Sequence, residues 1–77
     1  MVPQPGQIWR HYKGGVYEII CMAALERNRE QLVVYKDIHS QHIWARPLHG
    51  PKGFATPHDN EAGGLRPRFT LVSNRGL

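Results

Sequence analysis

The recurrence of glycine and proline is what most limits how this chain can fold. Eight glycines and six prolines are spread along 77 residues, so few stretches can form a helix of ordinary length. Between these breaks lie short runs rich in aromatic and β-branched residues, which suit a pleated strand. Gln7 to Tyr12 follows Pro5-Gly6 and ends at Lys13-Gly14-Gly15. Val16 to Ala23 reads as a second strand, so a hairpin closes through Gly14-Gly15. That second run is apolar nearly throughout, with Glu18 the exception, and is expected to be buried on both faces or covered at an interface.

Leu25 to Glu30 is a charged turn, or a single helical turn, with Asn28 near its tip, and asparagine tolerates the left-handed conformation a tip needs. Leu32 to Tyr35 is a third strand, and Asp37 to Ser40 a further turn. Gln41 to Leu48 alternates, with Ile43 and Ala45 on one face and His42, Trp44 and Arg46 on the other. Pro47 cannot donate a ladder hydrogen bond and marks a strand end or a sheet edge. From His49 to Pro67 the pattern dissolves into a long Gly- and Pro-rich loop, a length that in small domains points to function or mobility. Arg68 to Ser73 closes as a short strand anchored by Phe69, Leu71 and Val72, before a tail at Asn74 to Leu77.

The expectation is therefore all-β: one domain over residues 1–77, built as a small five-stranded SH3-like barrel with one long Gly/Pro-rich loop at about 49–67. Closure removes the exposed strand edges that invite aggregation. A chain this short buries only about 60% of its unfolded surface, so its stability margin is thin. Cys21 is the only cysteine and lies in an apolar run, where it reads as a small buried hydrophobe suited to a reducing compartment. No stretch is apolar enough to span a membrane, and the first residues resemble neither a signal nor a transit sequence. The expected setting is cytoplasmic.

Ten Lys and Arg against six Asp and Glu give a formal charge of +4. A positive balance of this size favours anionic partners and also serves plain solubility.

The run Arg10-His11-Tyr12-Lys13-Gly14-Gly15-x-Tyr17-Glu18, then Leu32-Val33-Val34-Tyr35, Trp44-x-Arg46-Pro47-Leu48 and Pro67-Arg68-Phe69, together resemble the bacterial family catalogued as domain of unknown function 1653. The resemblance implies an SH3-type barrel and brings no established activity. The chain departs from the family pattern after Leu48, where it is rich in Gly and Pro, and at Asp37 to Gln41.

Two constellations carry possible chemistry. Arg10, His11, Tyr12 and Lys13 stand beside a glycine turn whose backbone N–H groups a phosphate could approach. The spacing is not that of a P-loop, and a solvated basic hairpin rim is the plainer alternative. Trp44 and Arg46 share a strand face with His42, an arrangement that suits ring stacking or a protein contact, unless Trp44 is core. Arg68 completes the set of ligand-binding candidates.

No catalytic residue, metal ligand or cofactor is assigned. His39, His42 and His49 lack the paired spacing of structural zinc. Glu18 is expected in an ion pair with Arg10, Arg46 or Arg68, and Ser40 and Ser73 lack a nucleophile elbow. Type II dihydrofolate reductases are SH3-like chains that build one pore from four subunits. Their Val-Gln-Ile-Tyr motif is missing here, and His42-Ile43-Trp44 is only a loose echo. Three functions stay open. The first is a binding or adaptor module contacting a protein partner or its own copy as a homo-oligomer, through a basic and aromatic face. The second is nucleic-acid or phosphate-ligand binding by the same face, and the third an oligomeric pore enzyme.

Overall fold

A computed structural model of the chain describes residues 2–60 and 62–75. Among the described residues there are seven strands: β1 (Ile8–His11), β2 (Val16–Ala24), β3 (Gln31–Asp37), β4 (Ile43–Pro47), β5 (His58–Asp59), β6 (Leu65–Arg66) and β7 (Phe69–Ser73). The five longer ones fall where the short apolar runs place them. They form one antiparallel sheet in the order β4-β3-β2-β1-β7. Four strands follow in chain order, and the last returns to lie beside the first.

Each turn has a local cause. The β1–β2 turn closes through Gly14, whose φ of +105° is a region that side chains with a Cβ rarely enter. Between β2 and β3, Asn28 Oδ1 accepts from the Glu30 N–H, and the left-handed residue is Arg29 at φ 60°, one place beyond the expected Asn28. Between β3 and β4, Asp37 Oδ1 accepts from the N–H groups of His39 and Ser40.

Alternation along the strands divides the sheet into two faces. On the inner face Trp9, Ile19, Val33, Tyr35 and Phe69 pack with Leu48 and Phe54 into one core, against which Tyr17, Met22 and Leu71 are half-buried. A bulge between Ile19 and Cys21 shifts the β2–β3 register. It returns Met22 to the inner face opposite Val33 and puts Cys21 opposite Val34. Two expectations are corrected by this geometry. β2 is covered on one face only, since Ile20 is exposed, and Cys21 is half-buried rather than core. Val72 likewise points to solvent, leaving Phe69 and Leu71 as the anchors of β7.

The expected barrel, closed or half-closed, is also corrected: β4 and β7 remain the two edges of an open sheet. Pro47 ends β4, and the chain then turns back instead of pairing with β7. The N–H groups of Phe54 and Ala55 donate to the carbonyls of Pro47 and Leu48. That return carries Phe54 into the core on the inner face of the sheet. Its ring lies parallel to Phe69 at 3.9 Å and edge-on to Trp9 at 5.3 Å. An aromatic plug thus completes the core on the inner face, while the β4 and β7 edges stay unpaired with each other. Gly53 permits the tight turn before it, since a Cβ there would lie 2.6 Å from the His49 carbonyl carbon.

The long loop is therefore structured among its described residues. Beyond the plug, β5 and β6 form a second, two-stranded sheet. Its turn is held by Asn60 Oδ1, which accepts from the N–H groups of Ala62 and Gly64. At the opposite end of the core Gln7 is buried. Its Oε1 accepts from Trp9 Nε1 and the Gln4 N–H, and its Nε2 donates to Asn74 Oδ1. Of the expected tail, Asn74 and Arg75 are described, while Gly76 and Leu77 lie outside the described residues, as do Met1 and the acidic Glu61 of the long loop.

Candidate functional site

The inner face of the sheet opens beside the core into a basin of about 740 Å³. Its walls come from three places: the β1–β2 turn, the β3–β4 side of the sheet with the chain just past β4, and the segment entering β7. His11, Tyr12, Lys13, Trp44, Arg46 and Arg68 all line it. Residues more than 50 positions apart in sequence meet here because the last strand returns to β1. His11 lies opposite Phe69 in that pairing, which puts Arg68 next to the β1–β2 turn.

Arg10 is the exception among the expected residues. It sits between Trp9 and His11, both on the inner side, and so faces outward between Val16 and Thr70. Glu18 is on that outer face too, across from Lys36, and the sheet separates it from Arg46. Trp44 is not core. It is 50% exposed, although it lies opposite the buried Tyr35. The reason is its position on the edge strand, where only one neighbouring strand covers it.

The two guanidinium groups are held in place. Arg46 donates from Nε to the Tyr35 hydroxyl at 3.1 Å and from an Nη to the Lys52 carbonyl at 2.9 Å, and its Cζ is 5.3 Å from the Phe69 ring centre. Arg68 donates from Nε to the Thr56 carbonyl at 3.1 Å. All these acceptors are neutral, so the bonds orient both cations without cancelling their charge. Arg68 Cζ and Lys13 Nζ flank the Tyr12 ring at 5.9 and 5.8 Å.

His11 records the field these groups create. Partial burial pushes its pKa down, and the charges of Arg46, Arg68, Lys13 and His58 push it further, to about 4. The ring is neutral at pH 7. Because Nδ1 accepts from the Lys13 N–H, the ring proton sits on Nε2. His11 also stacks on Tyr12 at 4.4 Å, and His58 stacks on Tyr12 at 3.6 Å.

Tyr17, Asp37 and Lys52 also line the basin, though the sequence reading gives none of them a site role. Tyr17 leans over Gly15 so closely that a Cβ there would lie 2.6 Å from its hydroxyl. Burial, then the Asp37 charge, raises its pKa. Asp37 supplies a carboxylate whose pKa is lowered by the N–H groups of Ser40 and His39. Lys52 adds a cation from the plug segment, at φ 59°. The Asp37-x-His39-Ser40 pattern does signal a capped turn. Nothing local to Tyr17 or Lys52 announces that the fold will bring them here. Among the described residues, no three His, Cys, Asp or Glu side chains gather as a metal site would require.

A family model described as "Protein of unknown function (DUF1653)" matches residues 7–71. The chain belongs to this family. The matched span runs from the buried Gln7 through all of the basin to Leu71, so the DUF1653 unit includes both the plug and the walls. No curated protein and no solved structure matches the chain.

Proposed function

We propose that this DUF1653 member is a single SH3-like domain that binds a phosphate-bearing ligand in the basin beside its core. The return of the last strand beside the first supports the SH3-like reading. The observation that carries the functional one is convergence. Lys13, Arg46 and Arg68 come from three separate segments and depress the same imidazole, so their fields overlap at one place. Overlapping positive potential in a partly desolvated basin attracts a multiply charged anion more strongly than scattered surface charge does. Two guanidinium groups already oriented by neutral acceptors lose little entropy on meeting a phosphate. The geometry therefore favours the anionic-ligand expectation over protein contact for this face.

The test is calorimetric titration with linear inorganic polyphosphate at two salt concentrations. Affinity should fall steeply as salt rises, and Lys13→Ala should flatten the logarithmic slope by about one. Failure to bind, or binding indifferent to salt, overturns the proposal.

Self-association has separate support on the outer face, where Ile20 and Ile43 are 38% and 58% exposed and β4 is an unpaired edge. Solution mass across a concentration series tests it. A monomer throughout refutes it, together with the pore-enzyme expectation, which needs symmetry-related subunits. A dimer lost in Ile43→Lys supports it.

A further inference from the structure

Resting on that reading, we propose that the ligand is single-stranded nucleic acid, with an unpaired base stacked on Trp44 and its phosphate held at Lys13 and Arg68. The basin walls differ in chemistry. On the β1–β2 side the exposed ring, Tyr12, is occupied, because two imidazoles stack on it and two cations flank it. That wall offers charge. On the β4 side Trp44 is half-exposed and, among the described residues, has one stacking partner, His42, at 4.9 Å and 16°. His42 steadies the indole and leaves the rest of the ring open. That wall offers a flat apolar platform.

A nucleotide repeat has the same alternation, a planar ring joined through a sugar to a phosphate. A free phosphate or polyphosphate would use the cationic wall and leave Trp44 in water. In a double helix the base faces are covered by their neighbours, so only an unpaired base presents a face to an indole. The basin volume of about 740 Å³ is within the range of about 300–1,000 Å³ typical of ligand sites, enough for one nucleotide at a time. Because every base has such a face, binding should be tolerant of sequence.

The experiment is fluorescence anisotropy of the intact protein with two labelled probes. One is a thymidylate oligomer of about ten nucleotides, and the other an abasic deoxyribose-phosphate chain of the same length and charge. The thymidylate should bind about tenfold tighter or more. Trp44→Ala should lower its affinity to the abasic level, and Trp44→Phe should keep most of the preference. Trp44 is outside the core, so unchanged circular dichroism serves as the folding control. Equal binding of the two probes, or a Trp44→Ala variant that still prefers thymidylate, overturns the base-stacking proposal. In the first case, salt-sensitive polyphosphate binding leaves the phosphate reading standing. If polyphosphate and both probes fail to bind, both proposals fall.

Discussion

Replacing Phe54 with alanine should cost about 3–5 kcal/mol, a large share of what a chain this small has to lose. Phe54 is 2% exposed and touches three other aromatic rings: Phe69 at 3.9 Å, Trp9 at 5.3 Å and Tyr35 at 5.8 Å. An aromatic side chain buries about 150–250 Å². At about 25 cal/mol per Å² its transfer contributes at most about 4–6 kcal/mol. Alanine retains part of that, and the cavity left in the core adds a further penalty. At about 0.05–0.15 kcal/mol per residue, a chain of 77 residues has a total stability of about 4–12 kcal/mol. The assay is urea unfolding followed by tryptophan fluorescence, to which Trp9 is well placed to respond. The midpoint should drop by about 2 M or more with little change in slope. Phe54→Leu, which keeps most of the volume, should cost less than about 1.5 kcal/mol. A loss below about 1 kcal/mol for the alanine variant would refute the idea that the segment after Leu48 completes the core.

Two further outcomes follow from side chains near the basin and at the sheet end. The His11 imidazole should titrate near pH 4 by NMR. Its folded pKa lies below the unfolded 6.5, so its contribution is fully present above pH 6.5 and declines as pH falls toward 4. The ring is partly solvated and screening reduces the effect to about 1 kcal/mol. A His11 midpoint near 6.5 would refute the overlapping-cation picture. Gln7→Leu should destabilise by about 1–3 kcal/mol, because it strands the Trp9 indole N–H and releases Asn74. An unchanged unfolding midpoint would show that those bonds are readily replaced by water.

The strands were legible because their signals are local. Gly14-Gly15, Asp37 with its turn, and Pro47 each mark a boundary within two or three residues of where it falls. The alternation from His42 to Arg46 was also readable, and it put Trp44 and Arg46 on the same face. What a single sequence hid was tertiary. Phe54 stands alone among Gly, Pro and Lys, with no periodicity to mark it as core, so the plug and the open sheet edges were missed. The exposure of Trp44 depends on which strand ends at the edge. Six residues of the basin wall, His11, Tyr12, Lys13, Trp44, Arg46 and Arg68, stand out in the sequence because they are chemically conspicuous, whereas the apolar and glycine positions around them do not. Arg10 was misjudged because a one-residue step along a strand reverses the face.

The pairing of β1 with β7 also shapes how this molecule is made. Ile8 lies across from Ser73, and the side chain of Gln7 reaches Asn74, 67 positions along the chain. Hairpins β1–β2 and β2–β3 can form as soon as they are synthesised. The basin needs Arg68, and the aromatic core needs Phe69, both more than 50 positions after β1. Such distant contacts carry a loop-closure cost before they return any stabilisation, and they slow folding. On the ribosome, then, the basin and the core are completed together, and late. Until Phe69 is available, Phe54 lacks its parallel ring and β1 is a bare edge, which makes the nascent chain most vulnerable before β7 has joined the sheet.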